Sequence, residues 1–354
     1  MKWLKTITVQ LFTGANIATV LLLWLCCGVT YLQPDAAPKL SLMALAFPGF
    51  LLVNVLFVVF WLIFKVKRVW VPLAGLVLCG SFVRDYVPFN LASEAPAGAL
   101  KLVSYNTKGF GGREAVDSLG NNAVMDYLAG TEADIICLQE TYGSAKAAAF
   151  KDSMRQAGYE VWEAEGNMLL SRLHILSADT FKCQASPSLG LWAWLQHEDD
   201  SLLLVNCHFV SDHLSPELKE AYRQSIRSME HDSLRRGVTP VLRMLIEAAP
   251  ARAAQADTLA AFIASHADVP AVVCGDFNDT PVSYTHRVLT NRLASAFRQS
   301  GNGLGFTFHE HGFPVRIDHI LFSPECWRSS GTYVDRSISY SDHYPLVTFL
   351  APKP

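Results

Sequence analysis

Polar residues of a restricted kind recur where apolar runs end. KLVSY leads to Asn106, DIICLQ to Glu140, and LLLVNC to His208. AVVCG leads to Asp276 and Asn278, RI to Asp318, and the SDH at 341–343 supplies Asp342 and His343 before a last apolar run. Each has an ordinary structural explanation. Asn106 could cap a loop, Glu140 could end a strand, His208 could be a hydrogen-bonded core histidine, and Asp342 could cap a turn. The stretch CGDFNDTP, from Cys274 to Pro281, is itself rich in turn formers. Taken together the set is harder to dismiss, because unpaired charge at the ends of central strands is costly. In layered α/β folds, sites form where strand ends converge on one edge. In extended backbone residues two apart share a face, so Asn206 with His208, and Asp276 with Asn278, are expected to point together.

The side-chain types narrow the chemistry. Carboxylate and amide oxygens suit hard cations such as Mg2+ or Mn2+, which keep several waters and bind substrate phosphate. Neither a Cys-x-x-Cys nor a His-Glu-x-x-His is present, which argues against a zinc ribbon or a zinc peptidase. The chain has no Gly-x-Ser-x-Gly elbow, no P-loop and no dinucleotide fingerprint. Metal-assisted hydrolysis of a phosphate ester remains.

The elements that must position these groups are strand-like runs: KLVSYN, ADIICLQE, GNMLLSR, SLLLVNCHF, PAVVCGDFN, RIDHILFS and YPLVTFL. Helical stretches lie between them, including AVMDYLAG and AFKDSMRQAG. A longer helical region is expected from Pro216 to about His266, interrupted at Pro240 and Pro250. Strands mixed with helices in this way indicate an α/β or α+β layered domain.

The first ninety residues differ in kind. Three apolar segments, Ile7–Leu32, Leu42–Phe64 and Val69–Phe82, are candidate membrane spans, the third being the shortest. Lys2 and Lys5 precede an apolar stretch too long for a signal-peptide core, and no small-x-small cleavage site ends it. A buried soluble helix pair would not need such unbroken hydrophobicity. Lys2, Lys5, Lys65, Lys67 and Arg68 place the N-terminus and the KVKR loop in the cytoplasm by the positive-inside rule. Three spans would then carry the rest of the chain outside the cytoplasm, into the periplasm of a bacterium. Residues 1–86 are thus read as a transmembrane region, 87–98 as a linker and 99–354 as the catalytic domain. Most of the eight cysteines lie in apolar runs, leaving Cys183 and Cys326 as the one plausible disulfide pair. From Ala95 onward 22 basic residues face 29 acidic ones, a net charge of −7, so no basic surface for nucleic acid is evident.

The ordered stretches LVSYNTKGF, DIICLQE, LLSR, VNCHF, VCGDFNDTP, RIDHILFS and YSDHYPLV resemble the endonuclease/exonuclease/phosphatase superfamily, from about Lys101 to Leu350. That superfamily includes pancreatic-type deoxyribonuclease, abasic-site endonucleases, neutral sphingomyelinases and inositol polyphosphate phosphatases. The GDFN and the late SDH are its most specific marks. The resemblance implies an α+β fold, a four-layer α/β/β/α sandwich, with the site at one end of the paired sheets. It implies that Asn106 and Glu140 hold a divalent cation, with Asp342 near it or on a second ion. By the same resemblance Asp276 orients or deprotonates the attacking water, and Asn278 hydrogen-bonds the developing phosphorane. His208 and His343 contact the scissile phosphate, and Asp318 orients His343 and favours its charged form.

Departures from the superfamily pattern are His319, where an aromatic residue is common, and the lack of an assignable catalytic tyrosine. Tyr142 and Tyr159 qualify for that role by type alone, and His319 is expected to be structural. The expected function is a membrane-anchored, Mg2+- or Mn2+-dependent phosphoesterase acting on a lipid or a small soluble phosphodiester. An extracytoplasmic nuclease and a catalytically silent interaction module at the membrane are the alternatives.

Overall fold

Two six-stranded sheets face one another across an apolar core in the computed structural model, which describes residues 2–91, 93–142, 146–183, 186–211, 216–228, 231–310 and 314–353. The first sheet contains β1 (Leu100–Asn106), β2 (Ile135–Gln139), β3 (Glu160–Ala164), β4 (Asn167–Ser171), β11 (Trp327–Val334) and β12 (Leu346–Pro352). Their spatial order is β11-β12-β1-β2-β4-β3. The second contains β5 (Ile175–Cys183), β6 (Ser186–His197), β7 (Asp200–His208), β8 (Ala271–Asp276), β9 (Ala294–Ser295) and β10 (Asp318–Phe322), ordered β5-β6-β7-β8-β10-β9.

Each sheet has one parallel pair near its middle, β1 with β2 and β7 with β8. These central strands are buried on both faces, which is why they read as unbroken apolar runs. Leu102, Ile135, Cys137 and Leu169 of the first sheet meet Leu191, Leu204, Val272, Cys274 and Ile320 of the second. Outside the first sheet pack α6 (Ala123–Gly130) and α7 (Ala147–Gln156). Outside the second pack α9 (His231–Ala264) and α10 (Tyr284–Thr290). The layering is the expected α/β/β/α sandwich.

One local expectation needs correction, and one pairing that the sequence leaves open is resolved. Pro240 and Pro250 do not interrupt the helical region; both lie inside α9, with a separate α8 (Pro216–Ser228) before it. Packing of α9 on α8, on α10 and on the second sheet outweighs the cost of its prolines, about 3 kcal/mol each in an isolated helix. Cys183 and Cys326 are not paired, both being free thiols, and the Cys183 Sγ lies 3.3 Å from Thr258 Oγ1.

The N-terminal region forms α1 (Lys2–Gly28), a single 3-10 turn (Val29–Tyr31), α2 (Pro38–Leu45), α3 (Phe47–Phe64), α4 (Trp70–Leu78) and α5 (Gly80–Tyr86). Two stretches, Thr6–Tyr31 and Phe47–Phe64, are long and apolar enough to cross a membrane; a third is available if α4 and α5, bent by 68°, count as one span. The apolar segment Leu42–Phe64 therefore divides at Ala46, where Pro48 suits the first turn of α3. Asn16 and Asn54, both fully buried, join α1 to α3: Asn16 Nδ2 donates to Asn54 Oδ1 at 3.3 Å, and Trp61 Nε1 to Asn16 Oδ1 at 3.0 Å. Polar groups buried between apolar helices are satisfied in this way.

The helical bundle packs directly on the sandwich. Val282 is buried in one cluster with Leu23, Phe47, Cys79 and Tyr86. Arg287 Nε donates to Thr30 O at 2.8 Å, and Arg298 pairs with Asp85 at 2.6 Å.

Candidate active site

The candidate groups stand at one end of both sheets because the parallel pairs bring four strand ends together. β1 ends in Asn106 opposite Gln139, so Glu140 follows directly beside it. In the second sheet His208 of β7 is paired with Asp276 of β8, and Asp276 with Asp318 of β10. Glycine allows this alignment. Gly190, Cys207 and Gly275 stand side by side across β6, β7 and β8. A Cβ on Gly275, whose φ is +136°, would lie 1.9 Å from Cys207 O, a contact that backbone cannot yield to.

Asp276 is the hub. Its Oδ2 accepts from Asn106 Nδ2 at 3.1 Å and lies 3.6 Å from His343 Nε2 and 3.8 Å from His208 Nε2. Asn106 Nδ2 also donates to Glu140 Oε1 at 3.1 Å, and His208 Nε2 is 3.7 Å from that same oxygen. His343 Nδ1 is 2.8 Å from Asp318 Oδ2. Ser341 fixes the last segment, donating through Oγ to Asn106 O at 2.7 Å and accepting from the His343 amide at 3.1 Å.

Burial governs the charges. Asp276 is 1% exposed, and burial pushes its carboxyl up to about 6, against the opposing pull of His343. Burial would lower His343, but Asp318 and Asp276 outweigh it and hold the imidazole up to about 10. The buried Asp318 Oδ1 has no hydrogen-bond partner. Asp276, Asp318 and His343 offer ligand atoms that all lie within 4.8 Å of one another.

Residues 103–343 match the sequence profile of the endonuclease/exonuclease/phosphatase family. The chain belongs to that family. Residues 9–86 separately match the profile of a domain of unknown function. Among curated proteins none matches the sequence. The human Nocturnin catalytic domain, solved with a bound sulfate anion, shares the fold at 15% identity and a TM-score of 0.51, over 73% of this chain and 97% of that one. Truncated TDP2 of Caenorhabditis elegans aligns at 18% identity and a TM-score of 0.49, over 73% and 100% of the two chains. A mannosyl-6-phosphatase of Bacteroides thetaiotaomicron aligns at 16% and 0.47, over 71% and 99%.

Of the residues that carry the family resemblance, Asn106, Glu140, His208, Asp276, Asp318 and His343 form one connected group. Asp342 instead pairs with Lys108, its Oδ2 3.0 Å from the Lys108 Nζ. Asn278 lies beyond the end of β8 at φ +50°, so strand alternation does not place it. Instead its amide N–H donates to Asp276 Oδ1 at 2.8 Å, and its Nδ2 to Phe209 O at 3.0 Å. Asn206 does share its direction with His208, reaching the first sheet where it accepts from Gln139 Nε2 at 2.7 Å.

His319 turns away from the group and contacts Asp279 O at 2.9 Å and the Phe277 ring at 5.0 Å. Tyr159 is buried with its hydroxyl on Ala133 O, whereas Tyr142, two positions past Glu140, is 62% exposed. Sequence reasoning missed Lys108, whose Nζ also lies 3.3 Å from Glu310 Oε1. Its place two residues after Asn106 does not by itself set it apart from a solvated loop lysine.

Family membership implies a divalent cation, and the donors fit one. Hard oxygen ligands from Glu140 and Asp276 converge on a single amide, and a buried carboxylate oxygen of Asp318 is left unsatisfied nearby.

Proposed function

We propose that this protein is a membrane-anchored phosphoesterase that uses Mg2+ or Mn2+ to hydrolyse a phosphodiester of a lipid or a small soluble ester outside the cytoplasm. The observation that carries the reading is the convergence on Asp276 of two histidines, an amide and, through that amide, a second carboxylate. In this reading Asn106 and Glu140 hold the cation, with Asp342 available to a second ion. The bound cation supplies charge stabilisation at the phosphoryl oxygens and a more acidic water.

The chain's own groups do the rest. Asp276, held up to about 6, is ionised at neutral pH and accepts a proton from a water beside it. His343, held up to about 10, stays protonated and presents Nε2 to a phosphoryl oxygen, while Asp318 occupies Nδ1 and fixes the ring. His208, with Nε2 3.8 Å from Asp276 Oδ2, is the second histidine to contact the phosphate. Asn278 donates one amide hydrogen to Phe209 O, which leaves its second for the phosphorane. The lipid alternative draws support from Val282, six residues past Asp276, which is buried among side chains of the apolar bundle.

The test is turnover by the full-length protein in detergent with Mg2+. Substrates are bis(p-nitrophenyl) phosphate, a phosphomonoester, phospholipid in mixed micelles and plasmid DNA. Turnover of at least one ester, reduced about 10²-fold or more in Asp276→Ala and His343→Ala, is expected. Inertness towards the whole panel would sink the proposal, and nicking of DNA alone would move it to a nuclease.

A further inference from the structure

A buried charge beside the site is left unused by this chemistry. Arg316 is 4% exposed, and its guanidinium lies 4.1 Å over the Phe297 ring. It donates to Leu304 O at 2.8 Å, to Tyr86 O at 3.2 Å and to Asp85 O. Asp85 and Tyr86 close α5, the last helix of the apolar bundle. The final carbonyls of a helix lack intrahelical donors and carry partial negative charge, so a planar guanidinium meets them well. The Asp85 carboxylate, paired with Arg298, supplies the counter-charge.

Two residues further on, Asp318 bonds His343. The segment between is tied to the site at each step: Ile317 O accepts from the Phe277 amide at 2.9 Å, and Thr307 Oγ1 accepts from the amides of Ile317 and Asp318, each at 3.2 Å. A second tie runs in parallel. Val282 is buried in the bundle, and His319 Nε2 holds Asp279 O. Both segments that carry Asp276, Asn278 and Asp318 are therefore fastened to the helical bundle.

We propose that Arg316 is a positioning residue that couples the placement of α5 to Asp318, making the apolar bundle part of the active-site scaffold as well as an anchor. The inference rests on the phosphoesterase reading. It is tested on full-length protein in detergent with bis(p-nitrophenyl) phosphate as the probe, comparing wild type with Arg316→Met, Arg316→Lys and Asp85→Asn. In Arg316→Met kcat is expected to fall about tenfold or more with KM within about twofold. Arg316→Lys should recover part of the loss, because an ammonium can still donate to the helix-end carbonyls.

Hydrogen exchange gives a readout that does not need turnover. Protection in Arg316→Met should fall at residues 276–282 and 317–318 while the sheet cores keep theirs. An unchanged kcat, or protection lost evenly across the sandwich, overturns the proposal. If Arg316→Met does not fold, the same comparison is made on Arg316→Lys and Asp85→Asn. A wild type without turnover defeats the phosphoesterase reading, and hydrogen exchange alone then decides whether the bundle positions these segments.

Discussion

His343 lies between two carboxylates inside the fold, and that arrangement has a measurable cost and benefit. Burial opposes its charge, but Asp318 and Asp276 hold it up to about 10, above its ordinary value of 6.5. The folded state thus keeps a proton that the unfolded chain releases. The resulting stabilisation is fully present below about pH 6.5 and is lost as pH rises through about 10. Without divalent ions, the unfolding free energy measured in urea should fall across that window by an amount on the order of a few kcal/mol, and it should stay flatter in His343→Gln. An unfolding free energy with the same pH dependence in both proteins would show that Asp318 and Asp276 do not hold the proton. Asp276 sets the acid side: pushed up to about 6, it should make turnover decline as pH drops below that value. At this scale the sequence was most legible where a polar residue ended an apolar run, as at Asn106, Glu140 and His208. Lys108 was not legible, because a lysine in a Gly-containing loop looks like any solvated residue until Asp342 and Glu310 are seen beside it.

At the scale of elements, the row Gly190–Cys207–Gly275 decides whether β7 and β8 can deliver His208 and Asp276 side by side. Gly275→Ala would force a Cβ to within 1.9 Å of Cys207 O at a φ of +136°. Because the obstacle is backbone in the middle of a sheet, the strands must part, and a loss of about 3 kcal/mol or more is expected. Thermal unfolding of the variant measures it; a melting temperature within a degree or two of wild type would show that the sheet can absorb the methyl group. The seven strands read from the sequence are β1, β2, β4, β7, β8, β10 and β12, which are mostly central and apolar. Two of those missed, β3 and β5, lie at sheet edges with exposed and half-buried residues intermixed, so they lack a clean period; β6 lies inside its sheet and was missed all the same. The helical region around Pro240 and Pro250 was legible, but its continuity through both prolines was not, because packing overrode a strong local signal.

For the whole molecule the question is how many times the chain passes from one end of the bundle to the other. Three apolar segments were legible from composition, but the 68° bend between α4 and α5 was not. The contacts trace the path. Phe12 of α1 stacks on Phe60 of α3 at 4.9 Å, while Leu23 and Phe47 share a cluster at the other end, so α1 and α3 run antiparallel. Trp24 bonds Gly75 O at 3.3 Å and Cys27 meets Cys79 at 3.5 Å, so α4 runs alongside α1 in the same direction. The chain thus leaves the sandwich end at Phe47, turns at Lys65, Lys67 and Arg68, and returns to it at Asp85, where Arg298 and Arg316 receive it. Three passages put the KVKR turn and the N-terminus at the end away from the sandwich, and basic residues favour the cytoplasmic side. A reporter fused after Pro354 should accordingly be active outside the cytoplasm, and protease added to intact spheroplasts should remove the sandwich while sparing an N-terminal tag. Protection of both ends would mean that α4 and α5 do not cross. The bent pair would then have to lie within one leaflet, and the sandwich would face the cytoplasm on the same side as Lys2 and Lys5.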